Sequence, residues 1–333
     1  MLKIISDIIA IMSSPMTKIT RKQHYVPQFY LRQWIDSDNG FYPIKIIEKV
    51  PPKLEIFTKK SDPTRFCYEN FFYAQHTGKE DEISQTIEKG FAEIEGVLSE
   101  ELPKIENKIL NNEHISDADK YHLSEFMIFM WLKGKAYRQH SQQLSETVVK
   151  EINKRSVHYI DKNPKTKVEM DKLGLTKEDM IKFAEKAEYT VDFGNMHHMS
   201  LFKEMPGFCN LLYAKYWKIF ISRKGEFIVT DVPYLDLPTS TNQFYGNDFL
   251  SREQSFTLSP RVKIVMLYPN NKDGKKISRK DITDEKFKIQ TINCHHLMNS
   301  IRFGFHKDRV LLEELQKCAT IIHDYKVLNQ SRK

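Results

Sequence analysis

His24, Gln28 and Arg32 recur every four residues within Gln23-His24-Tyr25-Val26-Pro27-Gln28-Phe29-Tyr30-Leu31-Arg32-Gln33-Trp34, threaded between aromatic and aliphatic side chains. An imidazole, with an ordinary pKa of about 6.5, is the side chain best suited to give or take a proton near neutral pH. A guanidinium presents a planar fork that clamps phosphate or carboxylate. Pro27 forbids a helix through its own position, pushes Val26 toward extended geometry and suits a first helical turn. The stretch therefore reads as an extended lead into a helix, with Gln28 and Arg32 on one helical face. Far along the chain, Asp231 ends the apolar run Phe227-Ile228-Val229-Thr230, and carboxylates at strand ends commonly sit at a sheet rim where sites form. With Asn293 and Arg302, these residues suit hydrolysis of a phosphodiester or similar anion. His24 is then the acid/base, Arg32 and Arg302 stabilise developing negative charge, and Asp231 orients His24 or holds magnesium.

Each residue has a plainer use. His24 can fix the lead-in loop by hydrogen bonding, Arg32 can pair internally with Glu95, and Asp231 can initiate the turn before Val232-Pro233. Taken together, the six then form a buried polar network that specifies the fold of a non-catalytic binding or regulatory module. Convergence of His24, Asp231 and an arginine in one open pocket favours the enzyme, and full burial without a cleft favours the network.

Composition bounds the choice. The chain has 333 residues, a net charge of +7, 40% hydrophobic and 29% charged residues. A soluble globular protein is expected, and no run approaches the roughly 20 apolar residues needed to span a bilayer. Cys67, Cys209, Cys294 and Cys318 show no CxxC spacing, which fits a reducing cytoplasm and gives no thiolate zinc site. Nucleic acid is the partner the basic balance allows, with Lys18, Arg21, Lys22 and Arg32 in an acid-free stretch and a second cluster at Lys272, Lys275, Lys276, Arg279 and Lys280. His197-His198 and Cys294-His295-His296 tempt a metal reading, but neighbours on a helix point about 100° apart and cannot readily chelate one ion. There is no H-E-x-x-H, dinucleotide fingerprint, phosphate loop or G-x-S-x-G elbow, and Gly is only 12 in 333, too few for nucleotide-cradling loops.

The elements that must position these residues follow from periodicity. Phe41 to Ile47 reads as a strand after the Asp38-Asn39-Gly40 turn. Glu80 to Leu110 carries Ile83, Ile87, Phe91, Ile94, Leu98, Leu102 and Ile105 at helical spacing, with Pro103 as a kink or stop. Ser116 to His140 is a second helix, apolar all round through Phe126 to Leu132 and hence buried, its end marked by Lys133, Lys135 and Arg138. The short connector predicts an antiparallel pair with Phe126, Met130 and Trp131 mostly buried. Trp217 to Ser222 and Glu226 to Thr230 read as strands joined by the turn Arg223-Lys224-Gly225, and Val262 to Tyr268 as another; Phe287 to Phe305 and Arg309 to Tyr325 return to helix. The expected class is α+β: a helical middle with an antiparallel helix pair, packed with a small antiparallel sheet from the C-terminal half and an N-terminal strand. Residues 1–16 are expected to be an extension without the apolar core of a secretory signal, with Met16 as an alternative start. Residues 17–330 form one domain carrying a polar helical insertion at about 144–190.

The opening stretch resembles that of the bacterial domain-of-unknown-function family 4238, whose members begin His-Tyr-x-Pro-Gln-Phe-Tyr-Leu-Arg/Lys-Asn-Phe. The resemblance continues in islands. Phe72-Tyr73 and the helix reaching Glu95 are similar to the family's aromatic-Tyr segment and acidic helix, and Arg138 sits where the family often has an arginine. Thr230-Asp231-Val232-Pro233 resembles its Ser/Thr-Asp-x-Pro strand end, with Val232 where Asn is common. Leu258-Ser259-Pro260 and the region of Asn293, Arg302 and Phe305 resemble its closing segments. The resemblance implies a family and carries no activity with it.

Overall fold

A computed structural model describes residues 19–76, 83–191, 196–237, 253–267 and 276–330. The N-terminal half runs β1 (Lys22–His24), α1 (Gln28–Leu31), β2 (Tyr42–Lys49), β3 (Pro52–Ile56), β4 (Tyr68–Asn70), β5 (Gln75–His76), β6 (Ile83–Ser84), α2 (Thr86–Leu110) and α3 (Asp117–Lys133). Then come α4 (Lys135–Ser156), α5 (Pro164–Leu173), α6 (Lys177–Lys186) and α7 (Met196–Ala214). The C-terminal part holds β7 (Tyr216–Ile221), β8 (Val229–Thr230), β9 (Tyr234–Leu237), β10 (Glu253–Ser259), β11 (Val262–Leu267), β12 (Ile277–Asp281), α8 (Lys286–Met298), β13 (Phe303–His306) and α9 (Arg309–Gln330). This is an α+β chain. It divides into two compact units, residues 1–135 with 198–333, and residues 136–197.

In the larger unit one sheet has the order β12-β7-β11-β10-β9, antiparallel except for the parallel β12–β7 edge. The other has the order β3-β2-β13-β8 and is antiparallel throughout. Ile44, Ile46, Leu54 and Ile228 on that second sheet pack with Cys294 and Leu297 of α8 and Leu311, Leu312 and Leu315 of α9. Gly304 makes this contact close: a Cβ there would lie 2.8 Å from the Leu297 Cδ1 and 3.1 Å from the Ile44 Cγ2. Overpacked cores typically lose about 1–3 kcal/mol, so Gly304→Ala should destabilise by that amount in a denaturant titration. An unchanged midpoint would show that the sheet–helix spacing gives way freely.

The helix pair forms as expected. Lys108 bonds Asp119, Glu95 bonds Lys133, and the Phe91 and Phe129 rings lie 5.5 Å apart, so residues descending α2 meet residues ascending α3 in antiparallel fashion. Phe126 and Met130 are buried, and Trp131 is half-buried with its ring against Phe208 and Tyr234. The boundaries differ from expectation. Ile83 belongs to β6, and α2 begins at Thr86 and runs through Pro103 to Leu110. Ser99, the residue whose carbonyl Pro103 cannot reach, lines a 130 Å³ hollow with Pro103 itself, which leaves that turn room to relax. The second helix stops at Lys133 because Gly134 is extended, with ψ 145°, and a Cβ there would meet the carbonyls of Trp131 and Met130 at 3.1 and 3.2 Å. Ser116 and Asp119 close its other end as a capping box.

Two further expectations are corrected. The turn after Ile221 forms, with Gly225 at φ 73°, but β7 and β8 go to different sheets. The amides of Ser222 and Phe227 bond the carbonyls of Arg261 and Pro260 instead of pairing across a hairpin. Phe287 to Phe305 is not one helix, since α8 ends at Met298 and the chain resumes as β13, paired with β2 and β8.

The smaller unit is helical. α4 has no buried residue, α5 is capped by Asn163 and α6 by Thr176, and the Phe183 and Tyr189 rings stack 4.9 Å apart.

Candidate functional site

The opening motif divides into two halves by direction. Val26, Tyr30, Leu31 and Trp34 are fully buried. The Tyr30 hydroxyl donates to the Thr257 carbonyl and its ring lies against Phe256 and Phe126. The Trp34 indole donates to the Phe227 carbonyl at 2.7 Å. Gln23, also sealed, accepts from the Tyr73 amide at 2.6 Å and donates to the Thr20 carbonyl at 3.3 Å. These contacts staple the motif to the five-stranded sheet and to the segment that precedes α2.

The polar residues spaced by four face the other way, along the turn Asp62–Arg65. Gln28 donates to the Pro63 carbonyl at 3.3 Å, Thr64 contributes a backbone hydrogen bond to His24, and exposed Arg32 acts electrostatically on Asp62. His24 sits in β1 opposite Tyr68, their rings 5.4 Å apart. Its Nε2 and the Gln28 Oε1 are buried without a hydrogen-bond partner. Burial is the main cause that brings the His24 pKa down to about 4, with the charges of Lys133 and Lys22 acting in the same sense and the Thr64 backbone against them. His24 is thus a neutral imidazole at ordinary pH.

Lys133 is the centre of charge on the inner side of this histidine. It is 2% exposed, forms an ion pair with Glu95, and lies over the rings of Tyr73, Phe91 and Phe129 at 5.7, 5.1 and 5.7 Å. The Tyr73 hydroxyl donates to its carbonyl at 2.6 Å. Glu88, one turn before Phe91, has a buried Oε2 without a hydrogen-bond partner, and its pKa is raised by burial while Lys133 pulls it down. The internal partner of Glu95 is therefore Lys133 and not Arg32, which is exposed; an exposed arginine keeps its hydration and gains little from reaching inward.

Asp231, Asn293 and Arg302 are placed otherwise. Asp231 is 2% exposed, and its carboxylate accepts the amides of Ile301, Arg302 and Phe303 at 3.0, 2.8 and 3.0 Å. Burial raises its pKa to about 6, against the pull of those three amides and of Lys49. Asn293 accepts from the Ile228 amide at 3.2 Å and donates to the Glu226 carbonyl at 2.8 Å. Arg302 is exposed, its guanidinium 5.2 Å from the Phe303 ring centroid. The opening motif and the α8 region do approach one another: Trp34 and Asn293 grip the same stretch, Glu226 to Ile228, and the Asp231 charge is felt by Tyr25 and Cys67. What converges is the motif backbone and its aromatic anchors. The His24 imidazole faces Thr64 and Lys133, and the Asp231 carboxylate faces backbone amides.

The Cys294-His295-His296 cluster gathers no metal ligands among the described residues. Cys294 is in the core, His295 is exposed, and buried His296 bonds Lys263, whose amine also donates to Thr257 at 2.8 Å. Burial lowers the pKa of both members of that pair. The side chains of His197 and His198, and the basic positions Lys272 and Lys275, lie outside the described residues. Among the described residues no group of three His, Cys, Asp or Glu is disposed to hold a metal ion. A 710 Å³ cleft elsewhere, lined by residues that include Glu113, Asp117, Lys120 and Arg279, contains none of the six residues singled out by sequence. Size and chemistry disagree here: buried imidazole Nε2 atoms without a hydrogen-bond partner are found at His24 and at His296, and of the two His24 is the one not sealed in the core.

Lys133, Glu88 and Tyr68 were not singled out from sequence. A usable signal existed for two of them. Lys133 ends a helix apolar on every side, and Glu88 and Glu95 flank Phe91 at helical spacing, so charges there must find buried partners.

The family model described as Protein of unknown function (DUF4238) matches residues 22–309, from the first residue of β1 to the first residue of α9. No curated protein and no solved structure matches the chain. Among the described residues no helix is long and apolar enough to cross a membrane.

Proposed function

This chain belongs to the DUF4238 family, and on that premise we propose that it is a nuclease-like hydrolase of a phosphodiester or related anionic substrate, with His24 as its acid/base. The observation that carries the reading is the His24 Nε2: buried, without a hydrogen-bond partner, on an imidazole held neutral. Buried polar atoms are nearly always paired, and an exception is a reason to look for a ligand. A neutral imidazole can accept the proton of an attacking hydroxyl or water at Nε2 and return it to the leaving oxygen. Its low pKa makes it a weak base in the free protein. An anionic substrate beside it raises that pKa toward neutrality, so proton transfer strengthens when substrate is bound. Exposed Lys22 acts on the imidazole and exposed Arg32 and Arg65 act on Asp62 of the adjoining turn, while Glu69, opposite Gln23 in the ribbon, is already paired to Lys135.

A second reading rests on a separate observation. Asp231 and Asn293 spend their polar atoms on backbone groups, as members of a structural network in a binding or regulatory module do. The experiment measures cleavage of oligonucleotides and of bis(p-nitrophenyl) phosphate, with and without magnesium, by wild type, His24→Ala and Arg32→Lys. The expected result is a loss of about 10²–10⁴-fold for His24→Ala with melting nearly unchanged. Equal destabilisation of both variants, with no turnover by wild type under any condition, would sink the hydrolase and leave the network.

A further inference from the structure

Resting on the hydrolase reading above, we infer that the anionic substrate is a single-stranded nucleic acid and that Tyr68 is the ring on which one of its bases stacks. The β1–β4 ribbon pairs Lys22 with Asn70, Gln23 with Glu69 and His24 with Tyr68. Side chains alternate across a ribbon, and directly paired residues share a face. Gln23 is fully buried and Glu69 opposite it is paired to Lys135, so these two share one face, and Lys22, His24, Tyr68 and Asn70 share the other, outer one, where Lys22 and Asn70 are exposed, Tyr68 is half-buried and the His24 Nε2 is covered. That outer face interleaves a cation, an imidazole, an aromatic ring and an amide within two short strands.

Tyr68 is half-buried, and the Lys22 ammonium lies 4.8 Å from its ring centroid. A flexible, exposed lysine marks the accessible face of that ring. A base can take its position while the ammonium swings to the adjacent phosphate. The ribbon is also bracketed by two residues held in left-handed geometry, Cys67 and Phe71, both at φ 55°. A bulky side chain in that region costs energy and is found where the surrounding structure imposes it, commonly at ligand sites. Phe71 is 36% exposed, its amide bonded to the Arg21 carbonyl at 2.8 Å, which places a second aromatic ring beside Arg21 at the end of the ribbon. Basic groups that follow a backbone, with rings that take bases, are the arrangement that binds single strands without sequence readout. A duplex keeps its bases stacked on one another and offers such a ring nothing.

The test is fluorescence anisotropy with a labelled single strand of about 12 nucleotides and with the matching duplex. The full chain is used as wild type, Tyr68→Ala, Tyr68→Phe, Phe71→Ala and Lys22→Ala. The expected pattern is single-strand binding weakened about 10-fold or more by Tyr68→Ala, preserved by Tyr68→Phe, and weakened in the same sense by Phe71→Ala. Lys22→Ala should lower the slope of log affinity against log salt by about 0.7, one phosphate contact. Tyr68→Phe guards against misfolding, because a folded ring variant that binds as wild type ties the loss to the ring. Binding of duplex as tight as single strand, no binding at all, or indifference to Tyr68→Ala overturns the inference. Wild-type turnover of bis(p-nitrophenyl) phosphate without oligonucleotide binding overturns this inference and leaves the hydrolase. Tyr68-dependent binding without any cleavage does the reverse.

Discussion

Asp231→Ala should lower the unfolding free energy by about 3 kcal/mol at neutral pH, roughly one for each buried amide it strands. The carboxylate accepts the Ile301 and Arg302 amides and supports the start of β13 through Phe303, so the variant should lose protection from hydrogen exchange first at residues 301–306. The pH dependence separates two causes. Burial has moved the Asp231 pKa from 3.8 up to about 6, so the folded protein holds a proton over a range where the unfolded chain releases it. That contribution is complete below 3.8 and is lost as pH rises through about 6. The stability gap between wild type and Asp231→Asn should therefore widen as pH falls from 6 toward 4, by up to about 3 kcal/mol at one pKa unit per 1.36 kcal/mol. Chemical denaturation at several pH values reads it. A gap that narrows in acid would mean that the three amides outweigh burial and hold the carboxylate below its ordinary range.

How far this arrangement was legible depends on the separation of the partners in sequence. Trp34 and Tyr30 announced burial by their bulk, and Gln28 and Arg32 announced a shared direction by their spacing; both are local properties. β7 and β11 carry alternating or continuous apolar runs that any reader of periodicity finds. β10 escaped because its sequence, Glu253-Gln254-Ser255-Phe256-Thr257-Leu258-Ser259, is polar at positions that are nonetheless buried, with Gln254 bonding Lys215 and Ser259 bonding Glu106. β13 escaped for a similar reason. Asn299 to Phe305 continues a helix plausibly in isolation, and what turns it into a strand is a carboxylate some seventy residues earlier. Asp231 lies just past the end of β8. Its partners could not be read, because backbone amides leave no mark in a sequence. The same limit hid the Lys133–Glu95 pair: both residues were visible on their helices, and only the antiparallel packing joins them.

Lys133→Met is the variant that links this packing to the chemistry at His24. Removing one member of a buried ion pair leaves the other uncompensated and costs about 3–5 kcal/mol, whereas replacing both by apolar groups is often neutral. Lys133→Met alone should therefore be strongly destabilised, and Lys133→Met with Glu95→Leu should recover most of the loss. Their thermal or denaturant midpoints give the comparison. The double variant then isolates the electrostatic effect. Lys133 helps hold the His24 pKa down at about 4, below the ordinary 6.5, although burial contributes more. A histidine depressed in the folded state contributes stability that is present above 6.5 and lost as pH falls through the folded value. Without Lys133 that folded value should rise and the window of loss should narrow from its acid end. Titration of the His24 ring protons by NMR reads the shift directly, and in an active enzyme the acid limb of the pH–rate profile should move upward with it. Lys133 is then a positioning residue for the His24 proton, acting by charge through the interior. If the double variant folds as well as wild type and His24 titrates unchanged, Lys133 and Glu95 serve the helix pair alone, and the site must be drawn from His24, Gln28 and the Asp62–Arg65 turn without them.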